Sequence, residues 1–236
     1  MAVPQVCIEG MDRREDVSRH ITVGRGDVSS SLGLKDGSDA DSKLGDPLSI
    51  GPEYAGYIGL ASIAVFTICW IIGAWVDEDW VLFEDNLCIL GISDVMFVRV
   101  LYPIGCTLTG IGLMLFGYSV SRFCDHVLQR CGYLSCIPFG ISLIGIGSIT
   151  LDFSHDLHMV FVYIMGAAAG LVLVLITVDD IIHRKWIISL FVIFMSLGFA
   201  YFNLFDTDYI QPFTITCLFI WLGVKCIHLI RTGCAY

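Results

Sequence analysis

Charged side chains are scarce in this chain: they make up 15% of its 236 residues, and only 13 of those residues are Lys or Arg. Set against 23 Asp and Glu, they leave a formal net charge of −10. Phosphate binding needs a concentrated basic surface, so the shortage argues against nucleic acid as a partner. The opening residues, MAVPQVCIEGMDRRED, lack the apolar core of a signal peptide. The first apolar span is therefore expected to direct insertion without being cleaved. No apolar run carries an ionisable residue at its centre. Proton pumps and ion-coupled transporters usually display buried acids, buried bases or broken helices, so this lack lowers the expectation of transport.

What the chain has in abundance is apolar length. Hydrophobic residues reach 56% and the mean hydropathy is +0.78, against roughly 45–50% apolar for a soluble domain. Several runs approach the ~20 residues that span a hydrocarbon core. Spans are expected at about 55–76, 98–118, 133–151, 157–178, 186–205 and 212–230. In lipid every backbone amide must be satisfied within the segment, so these runs read as helices. The expected fold is an all-α, polytopic bundle of six transmembrane helices over residues 54–236. Residues 1–53 are polar and end in a Gly-, Ser- and Asp-rich stretch. They bury too little apolar surface to offset the entropy of ordering, and are expected to be a disordered cytoplasmic segment. Their one helical candidate is a short amphipathic stretch around 11–23. The string Arg25-Gly26-Asp27 falls here and is read as chance.

Orientation follows from the basic residues of short loops. Loops after the odd spans carry Asp77, Glu78, Asp79, Glu84, Asp85, Asp94, Asp152, Asp156, Asp206 and Asp208, with Arg99 as their one basic residue. The opposite side holds Arg122, Arg130, Arg184, Lys185, Lys225 and Arg231, together with six more basic residues in the N-terminal segment. Both termini are thus expected on the cytoplasmic side. Of ten cysteines only Cys88 falls in an outward loop, where it has no partner for a disulfide. A zinc site built from Cys124, Cys131 and His126 lacks a recognised ligand spacing and is not expected.

Small residues punctuate the spans, with Gly105, Gly110, Gly112 and Gly117 in the second and Gly140, Gly145 and Gly147 in the third. Gly166 to Gly170 form a small-xxx-small ridge of the kind that lets helix backbones approach. Packing inside the bundle is the favoured use of that ridge, and a dimer interface the alternative. Pro103 and Pro138 are expected near span starts, where a missing amide donor matters least. Trp70, Trp75, Trp80, Trp186 and Trp221 are mostly expected at the membrane interfaces. Lys225 and His228 lie in the last turns of their span, from which they can snorkel to the headgroups.

Two outward segments carry the candidate site residues. Residues 83–94 offer Asp85, Asn86, Gly91, Ser93 and Asp94 as binding candidates in a loop long enough to fold over the bundle mouth. Residues 151–161 offer Asp152, His155, Asp156 and His158, and a helix starting near Ser154 would put the two histidines on one face. Such imidazoles, with a carboxylate from Asp152, Asp85 or Asp94, could hold zinc and lower the pKa of a bound water. The simpler reading is that His and Asp cap a helix at a wet interface, as a helix N-terminus favours.

These segments also carry a resemblance. The outer loop NLCILGISD, the glycine-bearing span YPIGCTLTGIGLMLFG and the stretch GSITLDFSHDLHMVFVYIMG resemble a six-span prokaryotic membrane family of unknown function. That family is similar to the eukaryotic DRAM- and FRAG-type proteins. The resemblance covers about residues 54–233 and touches Asn86, Leu90, Gly91, Ser93, Asp94 and His158. Cys88 departs from it, standing where a small polar residue is more usual, and the N-terminal segment has no counterpart. It implies fold, topology and a plasma-membrane location, and no established activity. The leading expectation is a non-catalytic multi-span protein without cofactor, engaging membrane lipids or another membrane protein through its outer loops. A zinc-dependent lipid hydrolase using Asp152, His155 and His158 is the first alternative, and a small-solute transporter the second.

Overall fold

The computed structural model describes residues 50–82, 84–183 and 211–233. The expected disordered segment and the span expected at 186–205 therefore lie almost wholly outside the described residues. Among the described residues every regular element is helical. Five helical segments are long and apolar enough to cross a membrane.

Helix α1 (Pro52–Val76) opens on a proline, whose fixed φ suits a first helical turn that has no use for its N–H. It ends at Asp77, which turns to extended backbone after donating its N–H to Gly73 at 3.0 Å. A 3₁₀ turn (Leu87–Ile92) leads to α2 (Met96–Ser121). Helices α3 (Val127–Leu134) and α4 (Cys136–Ser148) together make one span, interrupted at Ser135. The interruption has a cause in the sequence. Pro138 has no N–H for the carbonyl of Leu134 and its ring crowds that carbonyl, while Ser135 turns its hydroxyl back onto Cys131 O at 2.9 Å. Pro138 thus sits well inside a helical run that starts at Val127, and Pro103 lies inside α2 rather than near its start. Both prolines were expected near span starts. Helix α5 (His155–Ile182) and α6 (Gln211–Thr232) complete the described bundle.

Packing runs from α6 to α1, α1 to α2, α2 to α4, and α4 with α3 to α5. The face that α1 buries is mostly small, with Ala55, Gly56, Gly59 and Ser62. Its large residues Ile68, Ile71 and Ile72 point outward. Ile104, Leu108 and Leu115 on α2 and Ile220, Val224 and Ile227 on α6 are likewise exposed. A soluble surface rarely carries contiguous apolar area on this scale, whereas lipid accepts it. Between helices in lipid the attraction comes from close packing rather than from water exclusion, and small residues permit it. A Cβ added to Gly110 would stand 2.5 Å from the Gly140 carbonyl oxygen, so α2 and α4 touch backbone to backbone there. The expected ridge behaves otherwise: an added Cβ at Gly166 or Gly170 meets nothing within 4 Å among the described residues.

The interior is aromatic at two levels. Phe66 meets Phe219 edge to face with centroids 5.5 Å apart, and Phe116 meets Tyr133 at 5.7 Å. Such pairs contribute about 0.5–1.5 kcal/mol beyond their burial. Trp221 is buried midway along α6, Trp80 is buried in the loop just past the end of α1, and Trp75 is 85% exposed. Where α2, α4, α5 and α6 face one another the gap is only about 10 Å³ and lined by apolar residues such as Leu113, Phe139, Val172 and Leu222.

The helix directions define two ends. The acidic end carries the turn at 87–92, the start of α2, residues 149–156 and Gln211, whose side chain reaches Leu87 and Cys88. The basic end carries Arg122, Arg130, Lys225 and Arg231. There α1 begins and α6 finishes, with Gly56 against Cys226 and Ile230 and Gly233 near Glu53. Helices α5 and α6 both run from the acidic end to the basic end, so residues 183 and 211 stand at opposite ends of the bundle.

Candidate functional site

At the acidic end the loop between α1 and α2 folds inward as a plug. Leu87, Cys88, Leu90 and Gly91 are buried, and Gln211 clasps them by accepting from the Leu87 N–H at 3.0 Å. Burial pushes the Cys88 thiol up, against a lowering by the Gln211 hydrogen bond. Most of the expected binding residues serve the loop itself. Asp85 accepts the Val81 N–H at 2.8 Å, and buried Ser93 accepts the Val95 N–H at 3.1 Å. Gly91 lies against the Tyr102 ring, and the Asn86 carbonyl accepts from the Trp80 indole at 3.3 Å. Asn86 and Asp94 are exposed.

The two histidines part company. Helix α5 starts at His155, close to the start supposed at Ser154, but the His155 side chain is 71% exposed while His158 is 1% exposed. Three residues advance a helix by 300°, so the pair straddles the boundary between surface and core. His158 Nδ1 lies 2.6 Å from Ile149 O. A carbonyl only accepts, so Nδ1 carries the proton and the buried Nε2 has no hydrogen-bond partner among the described residues. Asp152 accepts from Thr150 and pairs with Arg99 across the surface. The Thr150 hydrogen bond, then the Arg99 charge, hold its carboxyl below the usual value. Among the described residues these side chains do not converge on a three-donor cluster.

The basic end gathers chemistry that the sequence reading overlooked. Helix α5 continues past the expected boundary at 178, so Asp179 and Asp180 lie in its last turn, 4% and 2% exposed. Asp180 Oδ2 is 2.6 Å from Lys225 Nζ on α6, with the two side chains 3% and 1% exposed. Lys225 does not snorkel. A lone buried charge is costly in low dielectric, and each of these two is held by the other.

Asp179 points to a second group. His183, the C-cap of α5, sets Nδ1 2.8 Å from Asp179 O and 3.6 Å from Asp179 Oδ2. His126, the N-cap of α3, stacks on His183 with centroids 4.1 Å apart and planes 26° from parallel. One donor atom from each of His126, Asp179 and His183 lies within 4.8 Å of the others. Cys131 is exposed and stays outside this group, as does Cys124. Burial, then the charges of Asp179 and Asp125, push the Cys124 thiol up to about 12. The signal for this site was two adjacent acids closing a long apolar run, at the helix end where the dipole disfavours anions. Acids in such a place need cationic company.

No family model matches the chain, and no match is found among curated proteins or solved structures.

Proposed function

We propose that the chain is a six-crossing integral membrane protein that engages lipid or another membrane protein at its acidic end. The sixth crossing rests on α5 and α6 running the same way. With residues 183 and 211 at opposite ends, residues 184–210 have the height of the bundle to recross, and their apolar run at 186–205 is long enough to do it. The arginines at the basic end support a cytoplasmic location for that end, for residues 1–53 and for the C-terminus. The plasma membrane is the proposed host, on the family resemblance.

One observation carries the functional reading: what the described residues of the acidic end offer outward is a rim rather than a cleft. Met96, Phe97 and Phe153 are 72%, 55% and 78% exposed, beside the exposed carboxylates of Asp94, Asp152 and Asp156. Apolar side chains held out among charges suit contact with headgroups or a partner surface. Among the described residues, the small apolar gap between α2, α4, α5 and α6 does not favour a solute path, and the parted histidines do not favour a hydrolase.

The test is a photo-reactive phenylalanine analogue at position 153, irradiated in native membranes. The expected product is an adduct with one membrane protein, or with a lipid headgroup class different from that captured at Ile227 on the shaft. Solvent-quenched product alone, or the same lipids at both positions, overturns the reading. Phospholipid turnover lost equally in His155→Ala and His158→Ala would favour the hydrolase instead.

A further inference from the structure

The stacked histidines at the basic end sit where two separate stretches of chain meet. His126 ends the loop after α2, and Asp179 and His183 close α5, 53 residues or more further along. We propose that His126, Asp179 and His183 form a binding site for a transition-metal dication of the zinc type.

The donor set fits that chemistry. Two imidazoles and one carboxylate are ligands for zinc and its neighbours, whereas magnesium and calcium prefer shells built from oxygen alone. The geometry is nearly assembled. Ligand atoms around a tetrahedral zinc stand about 3.3 Å apart, given metal–ligand distances of about 2.0–2.1 Å. Atoms already within 4.8 Å of one another reach that spacing by side-chain rotation of the two exposed histidines. Asp179 is the fixed member, buried and on a rigid helix. His183 Nδ1 stands 3.6 Å from Asp179 Oδ2. Turning the ring off the Asp179 carbonyl, which Nδ1 now meets at 2.8 Å, with the proton moved to Nε2, frees Nδ1 for the cation.

The site also has a mechanical meaning. A cation there would fasten the loop before α3 to the end of α5. The next residue, Asp180, is already fastened to Lys225 of α6. Three helices would then be tied within one turn. Three protein donors leave a fourth position, and the exposure of both histidines turns it toward the aqueous side.

The experiment uses the purified full-length protein in nanodiscs, stripped with chelator and then titrated with zinc and separately with magnesium. The expected result is one zinc per chain, with no comparable uptake of magnesium, and the visible bands of a tetrahedral site when cobalt replaces zinc. His126→Ala, His183→Ala and the near-isosteric Asp179→Asn should each weaken zinc binding by at least about tenfold. His155→Ala should bind as the unaltered chain does. Thermal unfolding without metal separates a binding loss from misfolding, since His126→Ala and His183→Ala alter exposed side chains. Unchanged zinc affinity in all three site variants, or no stoichiometric zinc in the folded parent, overturns the proposal.

Discussion

Lys225 of α6 and Asp180 of α5 form an ion pair of 2.6 Å in which neither side chain is more than 3% exposed. The two helices meet at their basic ends through this pair and, further along, across the small apolar gap lined by Ala169, Val172, Leu218 and Leu222.

Removing one member of the pair is expected to be far worse than removing both. Lys225→Met or Asp180→Leu alone leaves a buried charge and should cost about 3–5 kcal/mol, whereas the double variant should lie near the parent. Denaturant unfolding of the four proteins in one detergent gives the coupling. Additive losses would show that the pair is not a unit.

Glycines within the spans are expected to differ in tolerance by position. Gly110→Ala drives a methyl group against the Gly140 carbonyl and should destabilise by about 1–3 kcal/mol. Gly166→Ala meets open space among the described residues and should be neutral, or gain up to about 1 kcal/mol of helix propensity. Melting temperatures in detergent decide between these outcomes. A large loss at Gly166 would place a partner on that ridge.

The surface tie between Arg99 and Asp152 is expected to be insensitive to pH over the physiological range. The folded carboxyl lies below its ordinary value of 3.8, so its contribution is present above that value and fades only as pH falls through the lowered one. The Thr150 hydrogen bond is the largest cause, so Thr150→Val should move the titration of Asp152 upward toward 3.8. Carboxyl NMR of labelled aspartate follows this directly, and an unmoved titration would reject the role given to Thr150.

Span positions were largely legible because hydropathy is a property of a window. Expected spans at 55–76 and 212–230 became helices over Pro52–Val76 and Gln211–Thr232. Azimuth was not legible, because a window average carries no information on which way a side chain faces. Trp221 and Lys225 turned inward for that reason. The helix–turn boundary after residue 178 mattered more. Ending the span there put Asp179 and Asp180 in a loop, where two acids pass without notice. His126 escaped for another reason, since its partners lie more than fifty residues away and only the fold brings them near. At the acidic end α5 starts at His155, two residues before the span expected from 157. The burial of His158 was not legible, because an i, i+3 pair can fall on either side of a solvent boundary.

The parallel course of α5 and α6 bears on how the protein is made. Asp180 precedes Lys225 by 45 residues, which at about 5–20 residues per second is roughly 2–9 s of synthesis. Through that interval Asp180 lacks the lysine that faces it in the folded bundle. Helix α5 can pack on α3 and α4 at once, but the ion pair in its last turn waits for Lys225. The buried pair thus acts as an assembly latch, closing when the helix that carries Lys225 reaches the end of α5.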